Sequence, residues 1–323
     1  MKRAIALLLS VLMLVAVFTG CGKKEAGSSS DKGDDKPYIA IISMGFQHQF
    51  WQAVKQGAEK AAEEFGATIT FEGPESETMV DKQVEMLKTA IARNPDAICI
   101  AAIDSAAVLP DLEAAAKKGI KIIGFDSGVE GDIALTTCAT DNIAASALAA
   151  KHMAELIGGK GEIGMIIHSQ TAVDGAMRRD GFKNYIEENY PDIKIVDIQY
   201  ADGDHLKSAD AAKAMIQAYP NLKGIYGSNE GSAVGAMNGA DELNRTDLVI
   251  VGFDSGALIK NGIKNGKMAG AITQDPIGIG YKSVEYAIKA IKGEELPKVV
   301  DTGAYWYDAT NIDSEQIAPL LYD

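Results

Sequence analysis

The chain has 323 residues, with 45 acidic and 31 basic side chains and a formal net charge of −14. That length suits two domains with separate cores, and 47% apolar with 24% charged residues is globular rather than disordered composition. The acidic balance argues against a nucleic-acid partner and against charge-driven adhesion to anionic lipid, and three cysteines are too few for a disulfide scaffold.

At the start, Lys2 and Arg3 precede an apolar run over 4–18. A membrane span needs about 20 apolar residues, so this run is short for one. A basic start, a short apolar core and small residues after it form the secretory signal pattern, here 1–20. The run ends Phe18-Thr19-Gly20-Cys21, which resembles the bacterial lipoprotein box and implies a lipidated Cys21. A plain signal peptide cut near Gly20 is the alternative. Residues 22–36 hold no large apolar side chain, so 21–36 is expected to be a flexible, lipid-anchored linker. Such an anchor puts a soluble body outside the cytoplasmic membrane, on its periplasmic or cell-surface side.

The body alternates apolar runs with helical periodicity. Strands are predicted over 38–43, 68–71, 97–101 and 120–125, and helices over 50–65, 79–92 and 106–118. The order then recurs, with strands at 162–168, 193–200, 224–226 and 249–253 and helices at 175–189, 206–218 and 232–243. Strands alternating with helices of 12–16 residues predict parallel βαβ units, hence an α/β fold. Cys99 lies inside an apolar run and reads as a buried thiol; a bridge to Cys138 has no support in the sequence.

The fourth strand of each half closes on the same words. Residues 122–128 read Ile-Ile-Gly-Phe-Asp-Ser-Gly and residues 250–256 read Ile-Val-Gly-Phe-Asp-Ser-Gly. Ligands of open parallel sheets sit beyond the carboxyl ends of the strands. Asp126 and Asp254 should therefore each face a crevice, and two facing lobes would bring both to one ligand. The plainer reading is that each Asp caps its turn.

Other candidates stand at strand ends. Phe50 and Trp51 open the first helix; neighbours on a helix point about 100° apart, so both should not face the same core. One of them presented to the crevice would suit the C–H face of a sugar ring. Asp174 and Arg178, four apart, share a helix face, either as a solvated pair or as ligand acceptor and donor. Asn229 is a ligand group or a helix N-cap. Gln274 ends a strand before Pro276. The set is rich in acceptors, which suits the many hydroxyl donors of a neutral polyol.

With these residues in view, the chain from Pro37 onward resembles the type I periplasmic sugar-binding proteins of ABC importers, in the ribose/galactose-binding group. The motifs are Phe50-Trp51, Phe125-Asp126-Ser127-Gly128, Arg178-Arg179-Asp180-Gly181-Phe182, Ser228-Asn229-Glu230, Val251-Gly252-Phe253-Asp254 and Thr273-Gln274. The resemblance implies that Phe50, Trp51, Asp126, Arg178, Asn229, Asp254 and Gln274 hold the sugar, with Asp174 matching a galactose-type ligand residue. It implies two similar doubly wound parallel-sheet lobes joined by a three-segment hinge, with crossings near 139–142, 274–276 and 302–305. The N-terminal lobe would comprise 37–140 plus 275–303, and the C-terminal lobe 141–274 plus 304–323. The chain departs from the ribose pattern at His48, Ser127 and Gly203-Asp204, which bears on the identity of the sugar rather than its class. His48 reads equally as a hydroxyl partner or a surface residue, and Asp204 as an added acceptor.

The implied function is capture of a monosaccharide or small polyol by a monomer that hands it to a membrane permease. A ligand-presenting subunit for a chemoreceptor or sensor kinase is the alternative. An enzyme is disfavoured: there is no Gly-x-Ser-x-Gly, His-Glu-x-x-His or Walker loop. Gly278-Ile279-Gly280 is a fragment of a dinucleotide fingerprint, better read as helix packing. Four histidines lack metal spacing, so neither metal nor cofactor is expected.

Overall fold

The computed structural model describes residues 36–322. The signal segment, Cys21 and all but the last residue of the linker lie outside them.

The first half runs β1 (Tyr38–Ile42), α1 (Gln49–Phe65), β2 (Thr68–Glu72), α2 (Val80–Ala92), β3 (Ala97–Ile100), α3 (Ser105–Lys117), β4 (Lys121–Phe125) and β5 (Thr137–Ala139). The second runs α4 (Asn142–Leu156), β6 (Gly161–Ile167), α5 (Val173–Asn189), β7 (Ile193–Tyr200), α6 (His205–Ala218), β8 (Leu222–Gly227), α7 (Glu230–Glu242), β9 (Val249–Phe253), α8 (Ala257–Lys264) and β10 (Gly270–Gln274). Then come α9 (Pro276–Ile291), β11 (Val299–Asp301) and β12 (Ala304–Tyr307).

These strands form two six-stranded sheets, ordered β2-β1-β3-β4-β5-β11 and β7-β6-β8-β9-β10-β12. Every pairing is parallel except β10 with β12. The α/β expectation of two similar parallel sheets holds. The chain leaves the first sheet after β5, returns with α9, and leaves again between β11 and β12.

Strand alternation explains the layering. Ile39, Ile41, Cys99, Ile123 and Phe125 face a core shared with α1 and α9. Their neighbours Ala40, Ile42, Ile98, Ile100 and Ile122 face the opposite core, with Leu87 of α2 and Leu112 of α3. Successive strand side chains point to opposite faces, so a strand buried on both reads as an unbroken apolar run. The second sheet repeats this. Ile163, Met165, Val251 and Phe253 face α4 and α5, while Ile166, Ile225 and Ile250 face α6 to α8.

Helices α1 and α9 touch through glycine. A Cβ on Gly280 would lie 1.9 Å from the Val54 carbonyl oxygen, and one on Gly57 would lie 2.0 Å from that of Ile277. Gly280 is thus a backbone-contact residue of helix packing. Cys99 and Cys138 are buried free thiols.

Candidate binding site

The carboxyl ends of both sheets open onto one cavity, as expected for a ligand site of open parallel sheets. Both sheets supply its walls. Asp126 follows β4, Asp254 follows β9, His168 follows β6, and Gln274 ends β10. Asp174 and Arg178 come from the first turns of α5, and Asn229 is the N-cap of α7.

The matched aspartates share a backbone state. Asp126 has φ 53° and Asp254 φ 78°. Non-glycine residues rarely adopt positive φ, and such strain concentrates at ligand sites. Neither caps the following turn with its side chain. Asp254 Oδ1 accepts from Gln274 Nε2 (2.7 Å) and Oδ2 from the Glu230 N–H (2.9 Å). Thr140 in turn donates to Gln274 Oε1 (2.7 Å). The Asp126 carboxylate has no hydrogen-bond partner among the described residues. Burial, followed by the charge of Asp174, pushes its carboxyl well above the ordinary aspartate range.

Arg178 is locked from four sides. Its Nε donates to Asn142 Oδ1 (2.7 Å) and its Nη1 to the Ser228 carbonyl (3.0 Å). Its Nη2 pairs with Asp174 Oδ2 at 3.5 Å, and its guanidinium lies 3.9 Å from the Phe253 ring centre. Asp174 Oδ2 also meets His168 Nε2 at 3.0 Å, while Oδ1 is buried without a partner. Burial pushes the Asp174 carboxyl up, but His168 and Arg178 together outweigh it and hold it below the ordinary range. The pair is therefore an enclosed ion pair, not a solvated one, with one acceptor atom left over.

Asn229 is a helix N-cap that also stands at the cavity. Its Oδ1 caps α7 at the Ser232 N–H (2.9 Å), while the residue lines the cavity. His48 is buried, not on the surface. Its ring stacks on His205 at 5.6 Å, and burial lowers its pKa to about 4. Phe50 and Trp51 both line the cavity and both belong to the α1 core, against the expectation that only one would pack inward. The rings do diverge: Trp51 meets Phe125 edge-on, and Phe50 meets Tyr322. Tyr322, far away in sequence, covers the second direction.

Two residues stand elsewhere. Ser127 does not line the cavity; its Oγ donates to the Ala102 carbonyl (3.1 Å) and fixes the turn after β4. Asp204 caps α6 through the Leu206 and Lys207 N–H groups. Met44, Glu77 and His168 line the cavity without having been singled out. His168 was findable, because it ends a strand as Asp126 and Asp254 do. Glu77 sits among other polar residues in the loop after β2, where nothing in the sequence marks one acid as inward.

The periplasmic binding protein domain matches residues 39–295. The chain belongs to the periplasmic binding protein family. Among curated relatives, the D-apiose import binding protein of Actinobacillus succinogenes is 28% identical over 72% of this chain and 74% of its own length. The ribose import binding protein of Bacillus subtilis is 23% identical over 93% of this chain and 97% of its own. Among solved structures, an ABC transporter solute-binding protein from Agrobacterium vitis with bound α-D-tagatopyranose superposes with a TM-score of 0.86. It is 30% identical and covers 89% of this chain and all of its own. Another from the same organism, with D-fucose, has a TM-score of 0.84 at 31% identity, over 88% of this chain and all of its own.

Proposed function

We propose that this periplasmic binding protein is an extracytoplasmic lipoprotein that captures one monosaccharide between two closing lobes and delivers it to an ABC-type permease. The supporting relatives carry sugar names and sugars in their sites. The observation that carries the reading is chemical. Asp126, Asp174, Asp254 and Arg178, contributed by both sheets, share one cavity with Phe50 and Trp51. Lone pairs outnumber donors there, so the fitting guest is small and rich in hydroxyls, with an apolar ring face for the aromatics. Charge-assisted hydrogen bonds contribute roughly 1.5–3 kcal/mol each. A few of them reach micromolar affinity, about −8 kcal/mol, after association costs.

In this reading the lobes are 37–140 plus 275–303 and 141–274 plus 304–323, hinged at the three crossings. Each holds part of the hydrogen-bond set, so only the closed form completes it. Cys21 carries the lipid, and no covalent chemistry takes place on the ligand.

A thermal-shift and calorimetry panel of D-ribose, D-allose, D-apiose, D-arabinose, D-tagatose and D-fucose tests the reading. A true ligand at 100 times its Kd stabilises the protein by ~2.7 kcal/mol. Failure of every sugar and polyol at millimolar concentration would sink it. Separately, Cys21→Ser should move the protein from the membrane to the soluble fraction; membrane retention would remove the lipid anchor from the proposal.

A further inference from the structure

The carboxylate of Glu77 is the one acid of the cavity that the matched motifs leave without a role. It stands on the loop between β2 and α2, and its own N–H donates to Gln47 Oε1 (3.2 Å). Oε1 accepts from the Trp51 indole N–H (2.8 Å). Oε2 has no hydrogen-bond partner among the described residues, although the side chain is only 7% exposed. Burial raises the Glu77 pKa above the ordinary range.

His168 and Arg178 act on it from further off and only partly offset the burial, and among the described residues no lysine or arginine pairs with it directly. His48 Nε2 lies 3.7 Å from Oε1, but the Gln47 amide nitrogen lies 2.9 Å from that same ring nitrogen. The Gln47 oxygen is committed to the Glu77 N–H, so its NH₂ donates to the imidazole. His48 therefore presents a lone pair there rather than a proton. A carboxylate out of water with so little compensation is expensive. Holding the Trp51 indole does not explain it, since a glutamine oxygen would accept that N–H without the charge.

On the side of the second sheet, backbone without a side chain lies against Glu77 Oε2. Gly203 has φ 64°, and a Cβ there would come within 2.9 Å of both Glu77 Oε2 and Asn229 Nδ2. A side chain at 203 would thus collide with both Glu77 and Asn229, two residues that do line the cavity.

We propose that Glu77 determines specificity by accepting a hydrogen bond from a ligand hydroxyl at the end of the cavity bounded by Trp51, His48 and Asn229. The inference rests on the sugar reading and deepens it: the ligand carries a hydroxyl at that end, and analogues lacking it are rejected. A site built around a substrate hydroxyl discriminates strongly against the analogue without it, because its buried acceptor is left unpaired.

The test uses purified full-length protein, the isosteric Glu77→Gln and the shorter Glu77→Asp. Each is titrated calorimetrically with the six sugars named above and their monodeoxy analogues. Glu77→Gln should keep or raise the ligand-free melting temperature, since it removes a buried charge, and bind the wild-type sugar at least tenfold more weakly. The one monodeoxy analogue missing the partner hydroxyl should bind wild type and variant alike. Glu77→Asp, which retracts the oxygens, should give the same analogue pattern and serves if the Gln variant does not fold. Binding within twofold of wild type, or additive losses with every analogue, would overturn the role of Glu77 while the sugar reading stands. A wild-type protein that binds neither these nor any other sugar or polyol at millimolar concentration would overturn the sugar reading, and this assignment with it.

Discussion

Asp126 and Asp254 hold the same side chain on the same positive-φ backbone, yet only Asp254 is already hydrogen-bonded. Asp126→Ala and Asp254→Ala should each weaken sugar binding by about 1.5–3 kcal/mol, roughly ten- to over a hundredfold. Their effects on the ligand-free protein should differ. Asp254→Ala strands the Gln274 amide and the Glu230 N–H, at about 1–3 kcal/mol, whereas Asp126→Ala removes a buried carboxylate that bonds nothing. Alanine strain at positive φ is common to both, so the difference in urea unfolding reports the lost hydrogen bonds. Equal destabilisation would refute the distinction. Glu230 offers a second test. It is 5% exposed, and burial, followed by the charge of Asp254, raises its pKa from 4.5 to about 7. The fold keeps a proton that the unfolded chain has released, so stability falls as pH rises from 4.5 through 7. That rise corresponds to roughly 3 kcal/mol at 1.36 kcal/mol per pH unit. Glu230→Gln should match wild type at pH 4 and exceed it by up to that amount at pH 8. A variant difference independent of pH would show that Glu230 does not titrate this way.

At the scale of elements, the contact between α1 and α9 sets two effects of glycine against each other. Gly280→Ala should gain about 1 kcal/mol from helix propensity. It also drives a Cβ to 1.9 Å from the Val54 carbonyl oxygen, a backbone atom that no rotamer change can move. Overpacking of this kind costs typically 1–3 kcal/mol, so the clash should win. The melting temperature should fall, and sugar affinity with it, because α1 carries Phe50 and Trp51; a higher melting temperature would mean that the helices separate freely. The same contact shows what the sequence could disclose. Strands β1 to β4 and β6 to β9, and helices α1 to α3 and α5 to α7, were legible from apolar runs and periodicity; α8, α9 and β12 were not assigned, and of β10 only its end at Gln274 was. The alanine-rich α4 has no broad apolar stripe, and β5 and β11 are three residues each, too short to have a period. The cavity was legible at the strand ends of Asp126, Asp254 and Gln274, though the same signal at His168 was passed over. It was illegible where a residue acts through distant partners. Ser127 repeats in the motif but serves the turn, and Tyr322 buries Phe50 from the far end of the chain.

For the whole molecule, the question is what holds the two sheets around the cavity when a ligand is present. Contacts outside the cavity join them. Gln49 Oε1 on α1 accepts the Ala257 N–H at the start of α8 (2.7 Å), and Thr171 Oγ1 donates to the Ile103 carbonyl (3.1 Å). Neither residue lines the cavity. If the lobes open and close, these bonds exist only in the closed state and contribute to its population. Apparent affinity is intrinsic affinity multiplied by the fraction of protein able to close, so losing one such bond should weaken binding without touching the ligand. A net hydrogen bond of about 0.5–1.5 kcal/mol converts to roughly two- to twelvefold. Gln49→Ala and Thr171→Val should therefore each raise the Kd by that factor. The losses should come mainly from faster ligand release, and the ligand-bound radius of gyration in solution scattering should stay as in wild type. The double variant should show the two losses added, since the bonds are separate and share no partner. Affinities unchanged in both single variants would mean that closure is set by the ligand alone, with the rim contacts following passively.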